Sequence, residues 1–313
     1  MRLAGTPIVR DFQEGDAESI SKLFRIIYGE RYVYPEVYLP AMIRHYNQQR
    51  RWHTLVATLN GRIVGQASLV WDNAGFDHPE LAMMVVHPHY RGAGVATSLG
   101  RALCHYAREQ GVAALTIKMV STHTQTQQLA CRLGFYTTGL LLDYVDTPFD
   151  NQGRESIILG MLPLQPSPLP HGLIDAAAPA WLRQLSRQFG TGPSLPSRER
   201  TAPLHIASYG RRVDIRLSSA ANQRLIDEVA DLPSGCLIHL RIQITPALPS
   251  LLTRLHQAGY ADMGVAPAAD RQWYWLLQRG YTLGERTFRC PVAQALYNSI
   301  NKSAILPASA ADG

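Results

Sequence analysis

The chain has 313 residues, of which 46% are hydrophobic and 17% charged, with a formal net charge of +6. This composition excludes a disordered or fibrous chain, and the length suits two globular units. The basic excess favours anionic ligands, but Arg50-Arg51 and Arg211-Arg212 are only pairs, so nucleic acid is not indicated. No apolar run is long enough to span a membrane, and Arg2 is followed by no signal-like apolar stretch. The expected location is therefore the cytoplasm. Cys104, Cys131, Cys236 and Cys290 form no Cys-x-x-Cys pair, which points to free thiols in a reducing compartment and to no metal site.

Thr6 to Phe12 reads as a first strand. Asp16 is placed to cap a helix running to about Tyr28, with Ile20, Leu23, Phe24 and Ile27 on one face. Pro35 is expected to start a second helix through Leu39, Ile43 and Tyr46. Four tyrosines, Tyr32, Tyr34, Tyr38 and Tyr46, fall in this segment and read either as aromatic packing or as the lining of a site. His53 to Leu59 and Arg62 to Trp71 flank Asn60-Gly61, the strongest two-residue hairpin signal. A loop from Asp72 to Pro79 leads to an apolar strand from Glu80 to Val86.

After that strand comes His87-Pro88-His89-Tyr90-Arg91-Gly92-Ala93-Gly94-Val95-Ala96-Thr97, and then an amphipathic helix with Val95, Leu99, Leu103 and Tyr106 on one face. Glycines at 92 and 94 permit backbone conformations closed to other residues. The first amides of the helix have no intrahelical partner and carry the positive end of its dipole. Arg91 adds a charged donor. Together these make a phosphate cradle. It is not a P-loop, because Val95-Ala96 stands where Lys-Ser or Lys-Thr would follow the glycine. It is not a dinucleotide fingerprint either, since the third glycine and the downstream acid are missing.

With Arg91, Gly94 and Ala96 in register, this stretch resembles the central signature of the GNAT superfamily of acyl-CoA-dependent N-acyltransferases, Arg/Gln-x-x-Gly-x-Gly/Ala between a strand and a helix. The resemblance covers residues 6 to about 162. It implies an α/β (α+β) GNAT fold with a mixed central sheet. It implies a strand ending at Val86 that splays from its neighbour to receive the pantetheine arm of coenzyme A. The cofactor-binding set it implies is Val85, Val86, Arg91, Gly92, Ala93, Gly94, Val95, Ala96 and Thr97. The donor by default is acetyl-CoA.

Beyond the cradle helix, which ends at Gly111, the pattern gives a strand from Leu115 to Val120 and a helix from about Thr124 to Leu133. Strands Tyr136 to Tyr144 and Ser156 to Leu162 follow. Residues 163–203 hold eight prolines and read as a linker, with one short helix near Ala180 to Gln188. Residues 204–290 hide a faint repeat at an offset of 125: Leu115 falls on Leu240, Ile117 on Ile242, Leu133-Gly134-Phe135 on Ala258-Gly259-Tyr260, and Gly139 on Gly264. The element order agrees with the second half of a GNAT domain. The cradle is not repeated, because its counterpart is Arg216-Leu217-Ser218-Ser219. The expectation is a domain at 1–162, a smaller degenerate half-GNAT domain at 204–290 without a coenzyme site, and a tail at 291–313.

Acyl transfer to an amine needs a base, a polarised carbonyl and a route for the leaving thiolate. Glu80 is the candidate base: it lies six residues before Val86, and strand alternation puts both on one face. Resemblance to the histone-modifying branch of the superfamily supports that spacing. The tyrosine that often serves as acid lies three positions ahead of Leu-Gly-Phe; here that residue is Ala130. His123 is the leading substitute as acid or acceptor contact, with Ser121, Tyr136 and Tyr144 behind it. The partners implied are an acyl-CoA and an amine-bearing acceptor, small molecule or protein, with a homodimer left open. The rival reading is a CoA-binding sensor or partner-binding module without turnover. The text around Tyr32 to Tyr38 and Gly139 to Tyr144 also resembles a bacterial GNAT subgroup with an extended C-terminal part.

Overall fold

Half-buried apolar strands and one-sided helices alternate from the first residues on. A computed structural model describes residues 6–71, 78–122, 124–146, 153–174, 178–193, 202–233, 235–284 and 286–305. The first half runs β1 (Ile8–Asp11), α1 (Ala17–Tyr28), α2 (Pro40–Gln48), β2 (Trp52–Leu59), β3 (Arg62–Val70), β4 (Glu80–Val86), α3 (Val95–Glu109), β5 (Ala114–Val120), α4 (Thr124–Leu133), β6 (Tyr136–Asp146) and β7 (Arg154–Pro163). Asn60 and Gly61 both have positive φ, which a tight β2–β3 hairpin requires.

Two local expectations are corrected. The second helix starts at Pro40, and Pro35–Tyr38 is a separate 3-10 turn. Pro40 has no N–H and its ring would clash with the preceding turn, so a helix begun at Pro35 cannot pass through it. Asp16 precedes α1, but its carboxylate does not cap it: it accepts from the Arg10 guanidinium and the Gln13 amide at 2.7–2.8 Å.

The rest of the chain gives β8 (Leu169–Pro170), α5 (Ala180–Phe189), β9 (Thr191–Gly192), β10 (Leu204–Tyr209), β11 (Arg212–Leu217), α6 (Gln223–Ala230), β12 (Leu237–Gln243), α7 (Leu248–Gln257), β13 (Ala261–Pro267), β14 (Trp273–Arg279) and α8 (Pro291–Ile305). The expected tail is therefore wrong in its first part. Pro291–Ile305 is a helix with Val292, Ala293, Leu296, Tyr297 and Ile300 buried against the core. The linker is also more than a connector: Trp181, Leu182 and Leu185 of α5 are buried, and Trp181 packs on Trp275 with ring centroids 5.2 Å apart.

Twelve strands form one sheet in the order β1-β2-β3-β4-β5-β7-β6-β13-β14-β12-β11-β10. The run β3-β4-β5-β7-β6 and the run β10-β11-β12-β14-β13 have the same connectivity and the same parallel and antiparallel pairings. The two runs meet back to back where β6 pairs with β13, Gly139 opposite Gly264. Those are the residues that the offset of 125 superposes, so the repeat reads as a two-fold relation inside one chain. The glycines are needed there. A Cβ on Gly264, at φ +109°, would lie 2.2 Å from the Thr138 carbonyl oxygen.

On one face, α3, α4, α5, α6, α7 and α8 bury a single apolar cluster that runs beneath both halves. On the other face, α1 and α2 cover only β2 to β4 and enclose a smaller cluster around Phe24, Ile43 and Val56. The two halves thus share one core rather than folding around two. No helix among the described residues is long and apolar enough to cross a membrane.

Candidate active site

β4 and β5 run parallel but meet at only one register pair, Glu80 with Thr116. From Leu81 onward β4 is paired through β3 alone. The strands therefore part like a fork toward their C-terminal ends. A bulge starts the separation: Met83 has φ +52°, the β3–β4 register shifts between Gln66 and Ser68, and the Gln66 side chain donates to the Met83 carbonyl. In the second half the corresponding strands, β11 and β12, are joined by six consecutive register pairs from Arg212–Leu237 to Leu217–Ile242. That fork is closed.

The open fork ends at the glycine loop. Gly92 and Gly94 have φ of +78° and +80°, and Gly94 is the residue that caps α3. A Cβ on either would meet nothing within 4 Å, so the glycines are required by conformation and the space in front of the loop is open. The first bond closing α3 runs from Ser98 N to Gly94 O at 2.9 Å, so the amides of Val95, Ala96 and Thr97 precede the intrahelical ladder. Arg91 and Ala93 are exposed beside them, while Val95 is buried and anchors the helix against Gly65. Val85 packs into the cluster beneath α1 and α2, and Val86 against the core on the opposite face.

That last placement corrects an expectation. Glu80 lies opposite Val70, and like Val70 and Ala82 it faces the α1–α2 side. The extra residue at the Met83 bulge shifts alternation by one, so Glu80 and Val86 fall on opposite faces. Glu80 is not a free carboxylate either. Its Oε2 accepts from Lys118 Nζ at 2.7 Å, with both side chains mostly buried. Burial opposes the Lys118 charge, but the Glu80 carboxylate overrides it and holds the ammonium well above its ordinary value. His123 lies outside the described residues. Ala130 is buried in α4 and offers no proton.

The tyrosines divide. Tyr46 packs on Trp52 with ring centroids 4.9 Å apart, away from the fork. Tyr32 packs against the rings of Phe24, Tyr28 and Tyr34, its phenol pushed well above the usual value by burial. Tyr38 accepts from the Tyr32 amide at 2.8 Å. Tyr34, partly exposed, lies near Lys118.

Several polar residues here were not singled out from the sequence. Besides Lys118 they are Arg212, Asp214, His239 and Arg241, which reach the same face from the second half. Tyr144 donates to Asp214 Oδ2 at 3.2 Å, and its carbonyl accepts from Arg212 at 2.8 Å. The Arg212 guanidinium lies 4.0 Å from the Tyr144 ring centre. Burial, then the Asp214 carboxylate, raise the Tyr144 phenol. His239 is buried edge-on to Tyr144 and accepts from Arg241 Nε at 3.3 Å. Burial and the two arginines hold His239 neutral. A signal for these residues exists: Leu-Ile-His-Leu-Arg-Ile-Gln-Ile alternates with polar groups at every second place, and Lys118 is the one charge in an apolar strand. Among the described residues, no group of three or more His, Cys, Asp or Glu is placed to hold a metal ion.

A parallel strand pair thus parts at a bulge, with a glycine-opened helix N-terminus at its mouth. Residues 18–135 match the model of the acetyltransferase (GNAT) family, and this part of the chain is a GNAT acetyltransferase domain. Among solved structures it is similar to the ribosomal-protein-S18-alanine N-acetyltransferase of Escherichia coli, at 21% identity over 51% of this chain and 95% of that one, with a TM-score of 0.42. An N-acetyltransferase from Staphylococcus aureus Mu50 is 18% identical over 51% of this chain and all of that one, TM-score 0.45. A putative acetyltransferase from Salmonella typhimurium, solved with its cofactor acetyl-CoA, is 20% identical over 55% of this chain and all of that one, TM-score 0.45. No curated protein matches the chain.

Proposed function

We propose that the protein is an N-acyltransferase that moves an acetyl group from acetyl-CoA to an amine. One observation carries this reading: the β4–β5 fork is open and leads from the Gly92–Gly94 helix terminus to Glu80. In this reading the amides of Val95, Ala96 and Thr97, with Arg91, hold the pyrophosphate. The pantetheine arm lies along Val85 and Val86, whose backbone faces the gap. The acceptor enters from the α1–α2 face, between Tyr34 and the Glu80–Lys118 pair. The nitrogen of the neutral amine bonds to the acyl carbon, its surplus proton passes to Glu80, directly or through a water, and the carbon–sulfur bond breaks with its electron pair leaving on coenzyme A as a thiolate, which takes its proton from solvent. In this reading a backbone amide at the Met83 bulge polarises the carbonyl.

The test is thiol release from acetyl-CoA, measured with the full-length protein against a panel of amines. Release that depends on one class of amine supports the reading. Tight acetyl-CoA binding with no release for any amine supports a second reading, a CoA-binding module without turnover. Two observations favour that alternative: Ala130 replaces the usual acid, and Lys118 occupies the carboxylate that should act as base.

A further inference from the structure

We propose that β10 is a docking edge for a second copy of this chain, so that two sheets join edge to edge, antiparallel, about a two-fold axis through Ile206. The inference does not depend on the acyltransferase reading. It starts from the internal repeat. In the first half, β2 covers the outer edge of β3, antiparallel, from Trp52–Val70 to Leu59–Arg62. β10 holds the place of β3 in the second half, and it ends the sheet. Among the described residues nothing pairs with its outer edge. The position that a strand fills in one half is thus open in the other.

The open edge is regular. β10 and β11 pair without a bulge from Leu204–Leu217 to Tyr209–Arg212. Ser218 N donates to Pro203 O at 3.2 Å. Bonded positions in an antiparallel ladder recur at every second residue, so His205, Ala207 and Tyr209 commit their backbone groups to β11. The N–H and C=O groups of Leu204, Ile206 and Ser208 therefore point outward. The side chains agree. Ile206 lies opposite Ile215 and Leu204 opposite Leu217, and both partners are buried in the shared core. Ile206 itself is 51% exposed, so the apolar stripe of the core runs out uncovered to the edge. Exposed edge strands are ordinarily protected by a lysine, a proline or a bulge. Leu204-His205-Ile206-Ala207-Ser208-Tyr209 has none of these.

The strand also complements itself. With the axis at Ile206, that residue meets Ile206 of the second copy, Leu204 meets its Ser208, and His205 meets its Ala207. Leu204, Ile206 and Ser208 each exchange both backbone bonds with the residue opposite. β10 contains no Lys, Arg, Asp or Glu, and each His205 faces an alanine, so no like charges oppose one another. The contact is isologous and closes at two chains. It lies at the end of the sheet remote from the β4–β5 fork. A joint of six residues per strand is small, which sets a dissociation constant in roughly the micromolar range.

The experiment is analytical ultracentrifugation of the full-length protein from low micromolar to several hundred micromolar. The expected result is a reversible monomer–dimer equilibrium with no larger species. Ile206→Lys sets two ammonium groups opposite each other on the axis. Ser208→Pro removes an outward donor, a change that an edge strand tolerates. Each should raise the dissociation constant by about 10-fold or more. Ile8→Lys, at an exposed position on β1 at the other end of the sheet, should leave it unchanged. Thermal melts establish that the variants are folded. Hydrogen exchange locates the joint: the amides of Leu204, Ile206 and Ser208 should gain protection as concentration rises, while those of His205, Ala207 and Tyr209 are protected throughout. A wild type that stays monomeric, or an open-ended assembly, overturns the proposal. So does a dimer that persists in both folded β10 variants, or one that Ile8→Lys dissociates.

Discussion

Gly94 and Glu80 are the two residues on which the catalytic reading turns, and they act differently. Gly94 shapes the backbone at the head of α3. Gly94→Glu should abolish acetyl-CoA binding, because it combines a strained φ of +80° with a carboxylate in the place of the phosphate. Calorimetry reads this directly, and wild-type affinity in a folded variant would remove the cradle. In the proposed reading Glu80 lies on the acceptor side, so Glu80→Gln should leave CoA affinity nearly intact and lower turnover by about 10²–10⁴-fold. The same change strips Lys118 of its carboxylate, at a cost of roughly 1–3 kcal/mol in stability. The sign follows from the raised Lys118 value. The contribution of a lysine held above its ordinary pKa is complete below about 10.5 and fades as pH climbs through the folded value. The stability difference between wild type and Glu80→Gln should therefore be constant from pH 6 to 9 and shrink above about 10.5, which paired denaturation curves across that range measure. The glycine loop and the start of α3 were legible because glycine spacing and helix start are local features. The facing of Glu80 was not: a one-residue bulge at Met83 leaves no mark in a strand of unbroken apolar residues.

At the scale of elements, the contrast between the two forks explains why one half is expected to bind coenzyme and the other is not. β4 and β5 share one register pair, β11 and β12 share six, and Arg216 to Ser219 has no glycine to open a loop. A calorimetric titration should thus give one CoA per chain; a stoichiometry of two would show a second site. The junction between the halves depends on close backbone approach. Gly264→Ala should cost about 2–5 kcal/mol, since the new methyl would meet the Thr138 carbonyl and the φ of +109° is disfavoured for alanine. Gly92→Ala, where a Cβ meets open space, should cost only the conformational part; paired chemical denaturation curves check the difference. Element order was readable because hydrophobic period, Asn-Gly and the helix-ending glycines are short-range signals. β10 was not. Its six residues are half-buried or exposed throughout, so this edge strand shows no buried stripe, and only pairing with β11 defines it.

The whole molecule is built on one sheet and one shared apolar core, although its sequence reads as two domains and a linker. The repeat in the sequence suggested independence, but the faces that the repeat buries belong to a shared core. Trp181 of the presumed linker packs on Trp275, Phe189 meets Trp273 edge-on, and Gln278 of β14 pairs twice with the Leu142 backbone of β6. Arg286 and the Thr282 amide meet the Asp143 carboxylate at 2.7 Å, tying the segment before α8 to the first half. These contacts join residues more than a hundred positions apart, which no local pattern reveals. The consequence is testable by truncation after Leu164. The fragment would lose every partner of β6 beyond β7, leaving Gly139 to Asp146 as an open sheet edge. It would also lose α5 and α8 from the apolar face, uncovering Leu140 and Leu142, which are fully buried in the intact chain. An unpaired apolar edge recruits other chains. Residues 1–164 alone should therefore be insoluble or associated when examined by size-exclusion chromatography with light scattering. Co-expression with residues 165–313 should restore a soluble complex. A fragment that is monodisperse and turns over acetyl-CoA at the full-length rate would show that the second half is dispensable, and the shared core would then not be what holds the first half in its active shape.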